Sequence, residues 1–405
     1  MEGTGTKIMV KMAVIGFGNI GGGLVELVES NREIIKKDLG TELEIKYIVD
    51  IRDFTGHPLE HKIVKDFNIV LNDPEVSVVA EMIGGSHPAF DFSIAALKAG
   101  KHVVSSNKEV VANFGEVLLA AAAENNVAYL FEASVGGAIP IIRPMRESLS
   151  SDNILSVNGI LNGTTNYILT QMLVNNTSFE DALKQAQQLG YAEANPSADV
   201  DGIDACRKIC ILAALAYGTV YPSDLVLTEG IRGVSKRDAS DAARLGASIK
   251  LIGHCEKTED GKVLLCVCPR MVPASVPLYS VSDVFNGIMV SGEAVGDLMF
   301  YGRGAGRIPT AGAVLADIVE VVKHMSSAQL PPAKWVRGDE STLADVKAAK
   351  CAYYCRIEGE KIPDGCVMVS YEDGQTSFST DVIDGYALDT LLDGYAVTSK
   401  IRFFA

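Results

Sequence analysis

Gly16-Phe17-Gly18-Asn19-Ile20-Gly21 is the stretch that decides the fold of the first part of this chain. It matches the pattern G-x-G-x-x-G, and it overlaps the end of an apolar run, residues 12–16, that is typical of a short buried strand. A helical pattern then continues to about Lys37. In a strand, turn and helix of this kind, the glycines let the backbone turn tightly and approach a pyrophosphate at the helix N-terminus. The stretch therefore predicts dinucleotide binding.

The residues that follow predict strands and helices in alternation. A second strand is expected over residues 44–49, with Asp50 at its end. Further strands are expected at residues 76–83, 102–106 and 127–132, and helices at residues 88–99 and 116–124. Strands alternating with helices at this spacing predict a doubly wound parallel sheet, the Rossmann fold.

Asp50 and Arg52 bear on which dinucleotide is bound. A carboxylate about thirty residues after the first glycines, as Asp50 is, holds the adenosine ribose hydroxyls in NAD-binding proteins. An arginine such as Arg52 meets the 2′-phosphate of NADP instead. The alternative for both residues is a solvated loop after the strand, where charged side chains are ordinary. The two residues together leave the choice of cofactor open.

Length and composition indicate a folded globular protein with more than one domain. The chain has 405 residues, of which 48% are hydrophobic and 21% charged, and its formal net charge is −15. This excess of acidic residues repels nucleic acid and anionic membrane surfaces, so neither is expected as a partner. No apolar run reaches the roughly 18 residues of a membrane helix, and the first residues do not resemble a signal peptide, which favours the cytoplasm. The eight cysteines predict free thiols rather than disulfides or a zinc site.

From about residue 134 the pattern changes to longer helices mixed with strands. Helices are expected at residues 178–189 and 203–217, strands at residues 155–161 and 262–269, and a further apolar helix at residues 309–323. Short strands and one helix near residues 386–392 end the chain. The predicted fold class is α/β: a Rossmann domain at residues 1–133, completed by about residues 300–325, a second α+β domain at residues 134–299, a linker at residues 326–348, and a small α+β extension at residues 349–405.

Two segments at predicted strand ends carry candidate ligands. Asn107 and Lys108 follow a strand whose carboxyl end opens onto the ligand crevice, so the lysine is expected to face the nicotinamide or the substrate. The alternative is a surface lysine that begins a helix. Residues 132–140 end another strand with small residues and a proline, and carbonyl groups beside Glu132 suit a hard monovalent cation. A plain turn explains the same spacing.

The densest polar segments are residues 190–193 and 199–208, which precede an apolar helix. Asp204 and Lys208 are four residues apart and share one face of the predicted helix. A lysine beside a carboxylate is a candidate proton donor whose pKa its neighbours set. An ordinary surface ion pair has the same spacing. Spacing alone leaves both interpretations open.

Taken together, these motifs resemble homoserine dehydrogenase over roughly residues 10–325. The most specific segments are residues 159–168 (GILNGTTNYI), the stretch from Gly190 to Lys208, and Gly304-Ala305-Gly306 followed by Pro309-Thr310-Ala311. The resemblance implies reversible NAD(P)-dependent reduction of L-aspartate 4-semialdehyde to L-homoserine, on the route to threonine and methionine. It further implies a homodimer whose second domain supplies the active site and the subunit contact.

The resemblance also implies roles for single residues. Lys208 is implied to donate the proton to the aldehyde oxygen, with Lys108 and Asp204 as further catalytic residues. Substrate binding is implied for Glu193, Asp204, Asp199 and Thr164. Cofactor binding is implied for Gly16, Phe17, Gly18, Asn19, Ile20, Gly21, Asp50, Arg52, Asn107, Lys108, Gly190 and Gly304. A sodium site is implied at Glu132 with the carbonyl groups of Val135, Gly137 and Ile139. NADP(H) is favoured over NAD(H), because Arg52 stands where the family places its phosphate-binding arginine.

The end of the chain departs from the longer members of that family, which carry a C-terminal ACT domain with a βαββαβ pattern that senses threonine. Residues 351–405 predict strands and one helix, which is too little for a complete copy. We therefore expect a reduced ACT-like segment or an unrelated cap, and little inhibition by threonine. Two alternatives to the leading function are a related dehydrogenase for another small amino-acid aldehyde and a non-catalytic dinucleotide-binding regulator.

Overall fold

The computed structural model describes residues 9–325 and 334–404, so the predicted linker at residues 326–348 lies partly outside the described residues. The chain divides into two compact units. The first comprises the described residues of Met1–Ser148, Gly218–Val220 and Ala305–Arg337, and the second comprises Leu149–Tyr217, Tyr221–Gly304 and the described residues of Gly338–Ala405. The first unit is thus built from three separate stretches of chain.

The first unit is built on a parallel sheet. With elements numbered in chain order, its strands are β1 (Val10–Ile15), β2 (Leu43–Val49), β3 (Ile63–Val64), β4 (Val76–Glu81), β5 (His102–Ser105) and β6 (Tyr129–Leu130). Its helices are α1 (Asn19–Ser30), α2 (Arg32–Leu39), α3 (Phe67–Leu71), α4 (Ala89–Lys98), α5 (Lys108–Glu124), α6 (Ile142–Arg146) and α12 (Arg307–His324). The described strands lie in the order β3-β2-β1-β4-β5-β6, which is the order of the dinucleotide-binding Rossmann fold.

Helix α12 completes the core of the first unit. Its buried side chains Ala311, Val314 and Ile318 join the same apolar cluster as Val14 of β1 and Val78 of β4. Each such fully buried aliphatic side chain larger than alanine contributes about 1.5–3 kcal/mol relative to an exposed one. A late stretch of the chain therefore supplies one wall of an early sheet.

The second unit is built on a larger, mostly antiparallel sheet. Its strands are β7 (Ile154–Ile160), β9 (Leu227–Thr228), β10 (Ala247–Lys257), β11 (Val263–Pro273), β12 (Phe285–Gly292), β13 (Gly296–Arg303), β15 (Tyr353–Glu358), β16 (Val367–Glu372), β17 (Gln375–Ser379) and β18 (Val397–Phe403). Its helices are α7 (Gly163–Val174), α8 (Phe179–Gln188), α9 (Ser197–Val200), α10 (Ile203–Tyr217), α11 (Lys236–Arg244) and α13 (Gly385–Leu391). The described strands lie in the order β13-β12-β7-β10-β11-β18-β15-β17-β16, with β9 beside β11. The predicted fold class, a Rossmann sheet followed by a second α+β part, is confirmed.

The C-terminal segment continues the sheet of the second unit. Strand β18 pairs in parallel with β11, where Arg402 lies opposite Arg270. The segment runs β15, β16, β17, α13 and β18, so the described residues hold no helix between its first two strands. One helix near the predicted position is present, and the segment groups with the second unit rather than standing apart.

Several expected elements differ from the structure. The single helix predicted to reach about Lys37 is wrong, because it is interrupted at Asn31, which ends α1 and begins α2. The first unit runs to Ser148 rather than residue 133, since Arg143 in α6 forms ion pairs with Asp317 and Glu320 of α12. Two short strands that the sequence did not predict, β8 (Thr219–Val220) and β14 (Val336–Arg337), pair in parallel.

All eight cysteines lie in the described part of the chain and none of them forms a disulfide, as expected. No helix among the described residues is long and apolar enough to span a membrane.

Candidate functional site

The glycine loop has the geometry that a dinucleotide requires. Gly16 has a φ of 92°, and its N–H donates to the carbonyl oxygen of Val49 at 2.9 Å. A Cβ on Gly21 would lie 1.9 Å from the carbonyl oxygen of Gly16, so the helix approaches the loop closely. Gly18 precedes α1 without a side-chain cap, no acidic residue occupies the first turn, and a Cβ on Gly18 would meet open space. The loop and the helix N-terminus therefore fit a pyrophosphate.

Asp50 and Arg52 form one ion pair beside this loop. The Asp50 carboxylate accepts the Phe17 N–H at 2.8 Å, and Arg52 donates to both of its oxygens, from Nε at 3.0 Å and from Nη2 at 2.8 Å. Nη2 of Arg52 also donates to the carbonyl oxygen of Phe17 at 2.8 Å. The Arg52 hydrogen bonds lower the pKa of Asp50 to about 2. Asp50 and Arg52, which were predicted to favour different cofactors, thus act as a single structural unit.

Asn107 and Lys108 lie where α5 begins. The Asn107 side-chain oxygen caps α5 by accepting two backbone N–H groups of its first turn, both at 3.1 Å. Its amide group donates to the carbonyl oxygens of Ile83 and Gly85 at 2.8 and 2.7 Å. Lys108 is the first residue of α5 and is partly buried. Asn107 thereby connects the loop after β4 to the position of Lys108.

Glu132 is buried, and burial raises the pKa of its carboxyl group. The carboxylate accepts the backbone N–H groups of residues 141–143 at 2.6–2.9 Å. The carbonyl oxygens implied as sodium ligands accept no hydrogen bond from the described residues and belong to buried residues: Val135, Gly137 and Ile139. No group of three or more His, Cys, Asp or Glu side chains within the described ranges could hold a metal ion. Free buried carbonyl groups fit a hard cation, but the carboxylate already has backbone partners.

Lys208 lies in a buried polar cluster of the second unit. Its Nζ donates to the carbonyl oxygen of Leu161 and to Oδ2 of Asp204, each at 2.7 Å. The side chains of Lys208 and Asp204 are only 9% and 7% exposed, so the interpretation as a surface ion pair is wrong. Removing one partner of such a buried pair leaves an uncompensated charge in the interior.

Asn162 holds the acidic side chains of this cluster together. Its amide group donates to Oδ1 of Asp199 at 2.7 Å and to Oδ2 of Asp204 at 2.9 Å. Its side-chain oxygen caps α7 by accepting the Thr165 N–H at 2.9 Å. Burial raises the pKa of Asp199. The sequence did not single out Asn162, although it lies inside the motif of residues 159–168 and its position as an N-cap was a usable signal.

The other predicted residues of the second unit are Thr164, Gly190, Glu193 and Gly304. The Thr164 hydroxyl donates to the carbonyl oxygen of Tyr191 at 2.7 Å. Gly190 follows Leu189, the C-cap of α8, with a φ of 75°, and a Cβ there would meet open space. The Glu193 side chain is exposed, and no hydrogen bond within the described residues joins it to Asp204 or Lys208. A Cβ on Gly304 would lie 2.0 Å from the Asn286 amide oxygen, so only glycine fits there.

The predicted site residues therefore form two groups. In the first unit the structure contains the glycine loop, the Asp50 and Arg52 pair, and the start of α5 with Lys108. In the second unit it brings together Lys208, Asp204 and Asp199 through an asparagine. Arrangements of both kinds occur in oxidoreductases that reduce a carbonyl group with a dinucleotide, where one part binds the cofactor and another supplies a proton.

Comparisons with known proteins agree with this division. Residues 16–132 match the family model "Homoserine dehydrogenase, NAD binding domain", and residues 140–319 match the model "Homoserine dehydrogenase". A homoserine dehydrogenase of Synechocystis sp. is 42% identical over 366 residues, which cover 87% of this chain and 84% of that protein.

Solved structures are similar over the same regions. The crystal structure of a homoserine dehydrogenase from Thiobacillus denitrificans has a TM-score of 0.88 and 32% identity, covering 98% of each chain. A hyperthermophilic archaeal homoserine dehydrogenase mutant in complex with NADPH has a TM-score of 0.66 and 29% identity, covering 78% of this chain and 98% of that one. This chain belongs to the homoserine dehydrogenase family and is a dinucleotide-dependent oxidoreductase.

Proposed function

We propose that Lys208 is the proton donor in the reversible reduction of L-aspartate 4-semialdehyde to L-homoserine by this enzyme. The observation that carries the proposal is the burial of its Nζ between the carbonyl oxygen of Leu161 and Asp204, each at 2.7 Å. The reduced dinucleotide supplies the hydride for the carbonyl carbon. Negative charge then develops on the carbonyl oxygen, and an ammonium group fixed by two acceptors stabilises that oxygen and gives it a proton.

The acidic residues around Lys208 suit a substrate that carries an ammonium group. Asp204 and Asp199 are held by Asn162, so their carboxyl groups keep fixed positions beside the lysine. We assign Asp204 to orienting Lys208 and binding substrate, and Asp199 to supporting it. Glu193 and Thr164 complete the substrate site in this proposal. The Glu193 side chain is exposed in the free protein and contacts the substrate in the bound complex. Lys108 serves the nicotinamide side.

NADP(H) is the proposed cofactor. Asp50 already accepts hydrogen bonds from Arg52 on both oxygens, so it is a poor acceptor for ribose hydroxyl groups. The Arg52 side chain is 56% exposed, which suits a 2′-phosphate. The archaeal relative in complex with NADPH supports this choice for the family fold.

Four further assignments complete the proposal. Sodium binds at the buried carbonyl groups of Val135, Gly137 and Ile139 beside Glu132. Two chains form a homodimer through the second unit, where β13 is an edge strand of the described sheet with exposed Met299 and Tyr301. The reaction takes place in the cytoplasm, and the segment after residue 348 is a reduced regulatory domain that gives little inhibition by threonine.

The experiment measures oxidation of NADPH and of NADH with aspartate semialdehyde, using the full chain and the Lys208→Ala variant. We expect turnover with NADPH by the native protein and a loss of at least about a thousandfold in kcat for the variant, with dinucleotide affinity retained. Lys184→Ala is the matched control, since this lysine lies on α8 outside the cluster. An unchanged kcat in Lys208→Ala removes Lys208 from the role of proton donor.

The same assay separates the proposed reaction from its alternatives. No turnover with either cofactor favours a non-catalytic dinucleotide-binding regulator. Turnover of another small amino-acid aldehyde in preference to aspartate semialdehyde favours a related dehydrogenase. Addition of millimolar threonine tests the regulatory assignment, for which we expect little change in rate.

A further inference from the structure

Glu81 is a buried carboxyl group that the reaction described above does not use. It is the last residue of β4, and its side chain has no exposed surface. Its Oε1 accepts the Ile83 N–H at 2.6 Å, and its Oε2 accepts the Ser105 hydroxyl at 2.7 Å. The carboxyl group thus joins the loop after β4 to the end of β5.

The contacts of Glu81 continue into the start of α5. The Ser105 hydroxyl oxygen accepts the Asn107 N–H at 3.0 Å. The Asn107 side chain caps α5 and donates to the carbonyl oxygen of Ile83 at 2.8 Å, which closes a ring of hydrogen bonds. Because Lys108 is the first residue of α5, its position is tied to the same ring.

The ring lies against the glycine loop. A Cβ on Gly16 would lie 3.0 Å from the carbonyl oxygen of Met82 and 3.3 Å from Cγ1 of Ile83, so the two loops pack closely. Strands β4 and β5 lie on the side of β1 that is opposite β2 and Asp50. In a Rossmann sheet the adenosine half of a dinucleotide lies on the side of β2, and the nicotinamide half lies on the other side. The ring around Glu81 therefore borders the nicotinamide half.

Burying this carboxyl group is unfavourable for the fold. Burial raises the pKa of Glu81 to about 7. An apolar side chain of similar volume avoids the desolvation of a carboxyl group. A buried carboxyl group that destabilises the fold, at the end of the sheet where ligands bind, indicates a role in ligand binding rather than in stability.

We propose that Glu81 is a positioning residue that holds the loop of residues 82–85 and the start of α5 in the conformation that binds the nicotinamide half of the dinucleotide. The proposal rests on the dinucleotide binding of this family and is independent of the assignment of Lys208 and of the choice between NADP(H) and NAD(H). Glu81 acts through Ile83, Ser105 and Asn107 rather than by contact with the reacting atoms.

The test compares Glu81→Leu, Glu81→Gln and Ser105→Ala in the full chain. Glutamine keeps an acceptor for the Ile83 N–H and a polar contact to Ser105, whereas leucine removes both. Binding of NADPH and NADH is measured by the fluorescence of the reduced nicotinamide, and amide hydrogen exchange of residues 82–86 is measured without cofactor. Ser93→Ala is the control, because Ser93 is buried in the same unit and its hydroxyl has no partner among the described residues.

We expect Glu81→Leu to raise the dinucleotide Kd by about ten-fold and to speed hydrogen exchange in residues 82–86. Ser105→Ala should raise the Kd by a smaller factor, and Glu81→Gln should stay within about three-fold of the native value. At saturating cofactor, the KM for the semialdehyde should stay within about two-fold of the native value in all three variants.

A native Kd in Glu81→Leu overturns the proposal. If Glu81→Leu does not fold, Ser105→Ala is the test. An unchanged Kd together with unchanged hydrogen exchange in Ser105→Ala then overturns the proposal. A fall in kcat at saturating cofactor with an unchanged Kd also contradicts it, since the group would then act in the chemical step. Because binding is measured without turnover, failure of the proposed reaction leaves this result interpretable.

Discussion

The glycine loop of the first unit and the Lys208 cluster of the second unit prepare for a ligand in opposite ways. The glycine loop leaves room for a ligand, since a Cβ on Gly18 would meet open space and the first turn of α1 carries no acidic side chain. The Lys208 cluster instead offers charged side chains, which are buried and held in place by Asn162. Backbone groups suffice to receive a phosphate, whereas proton transfer needs a side chain that changes its charge.

The two regions also differ in how their carboxyl groups titrate. Arg52 lowers the pKa of Asp50 to about 2, so the strongest charges beside the glycine loop neutralise each other at any physiological pH. In the Lys208 cluster, burial raises the pKa of Asp199 instead. The charges of Asp50 and Arg52 thus cancel each other, whereas the charges of the Lys208 cluster are buried and held in place. Each prediction below alters one region and leaves the other intact.

The largest expected effect comes from Gly21→Ala. The new Cβ would lie 1.9 Å from the backbone oxygen of Gly16, so the glycine loop must move away from its position before α1. We expect the dinucleotide Kd to rise at least about a hundredfold while the Lys208 cluster keeps its structure. Titration of NADPH fluorescence measures the Kd.

Gly22→Ala is the matched control for Gly21→Ala. A Cβ on Gly22 has only ordinary contacts, the closer of them 3.8 Å from Nη2 of Arg307, and alanine is favoured over glycine inside a helix by about 1 kcal/mol. We expect this variant to bind the dinucleotide normally and to unfold at a slightly higher temperature. Equal losses in both variants would show that the close approach at Gly21 is not the cause.

Asn162→Ala is expected to lower kcat/KM by about thirty-fold to a hundredfold with the dinucleotide Kd unchanged. The substitution removes the amide group that joins Asp199 to Asp204, so the acidic side chains beside Lys208 lose their fixed positions. Steady-state kinetics together with dinucleotide titration measure the effect.

Asn158→Ala is the control for loss of stability. Asn158 is a buried asparagine on β7 whose side-chain oxygen lies 2.7 Å from Nδ1 of His254. The Asn158→Ala substitution should lower the free energy of unfolding by about 1–3 kcal/mol and leave kcat near the native value. If both variants lose activity in proportion to stability, the positioning role of Asn162 is refuted.

Arg52→Ala is expected to change cofactor discrimination by about five-fold to ten-fold. The substitution removes the exposed guanidinium proposed to meet a 2′-phosphate and frees the Asp50 carboxylate for ribose hydroxyl groups. The ratio of kcat/KM for NADPH to that for NADH should therefore fall. A constant ratio would mean that Arg52 serves only to hold Asp50 and Phe17.

The smallest expected effect is on acid stability. Because the pKa of Asp50 falls from its ordinary 3.8 to about 2 on folding, its stabilisation is complete above pH 3.8 and is lost as the pH falls through 2. We expect about 1 kcal/mol, since the Arg52 side chain is mostly exposed and solvent screens the pair. Unfolding of native protein and of Asp50→Asn at pH 5, 3 and 2 should give a difference that shrinks toward pH 2.

The sequence predicted the backbone-based region more completely than the side-chain cluster. The strand, loop and helix around the glycine pattern depend on residues that are adjacent in the sequence, so the pattern predicted all three. The link between Asn162 and Asp199 joins residues 37 positions apart, and no local period reveals it. Glu81 was overlooked because it falls inside the strand predicted at residues 76–83, where no pattern singles out one carboxylate, and only the fold shows that it is buried.

Strand β10 was overlooked for a similar reason. Lys250 and His254 interrupt its apolar pattern, yet both are buried, because Lys250 donates to the carbonyl oxygen of Val281 and His254 bonds to Asn158. Polar residues that find partners across a sheet are invisible to a pattern of alternating hydrophobicity. The short strands β8 and β14 are too brief to give any pattern.

The place of α12 in the core of the first unit has a consequence for synthesis. A nascent chain that has emerged only as far as Ser148 carries the whole parallel sheet but lacks the buried face of Ala311, Val314 and Ile318. The apolar side of the sheet that these residues cover lacks them until more than 150 further residues have been translated. The unit that carries the glycine loop is therefore completed only after residues 149–304 have been translated.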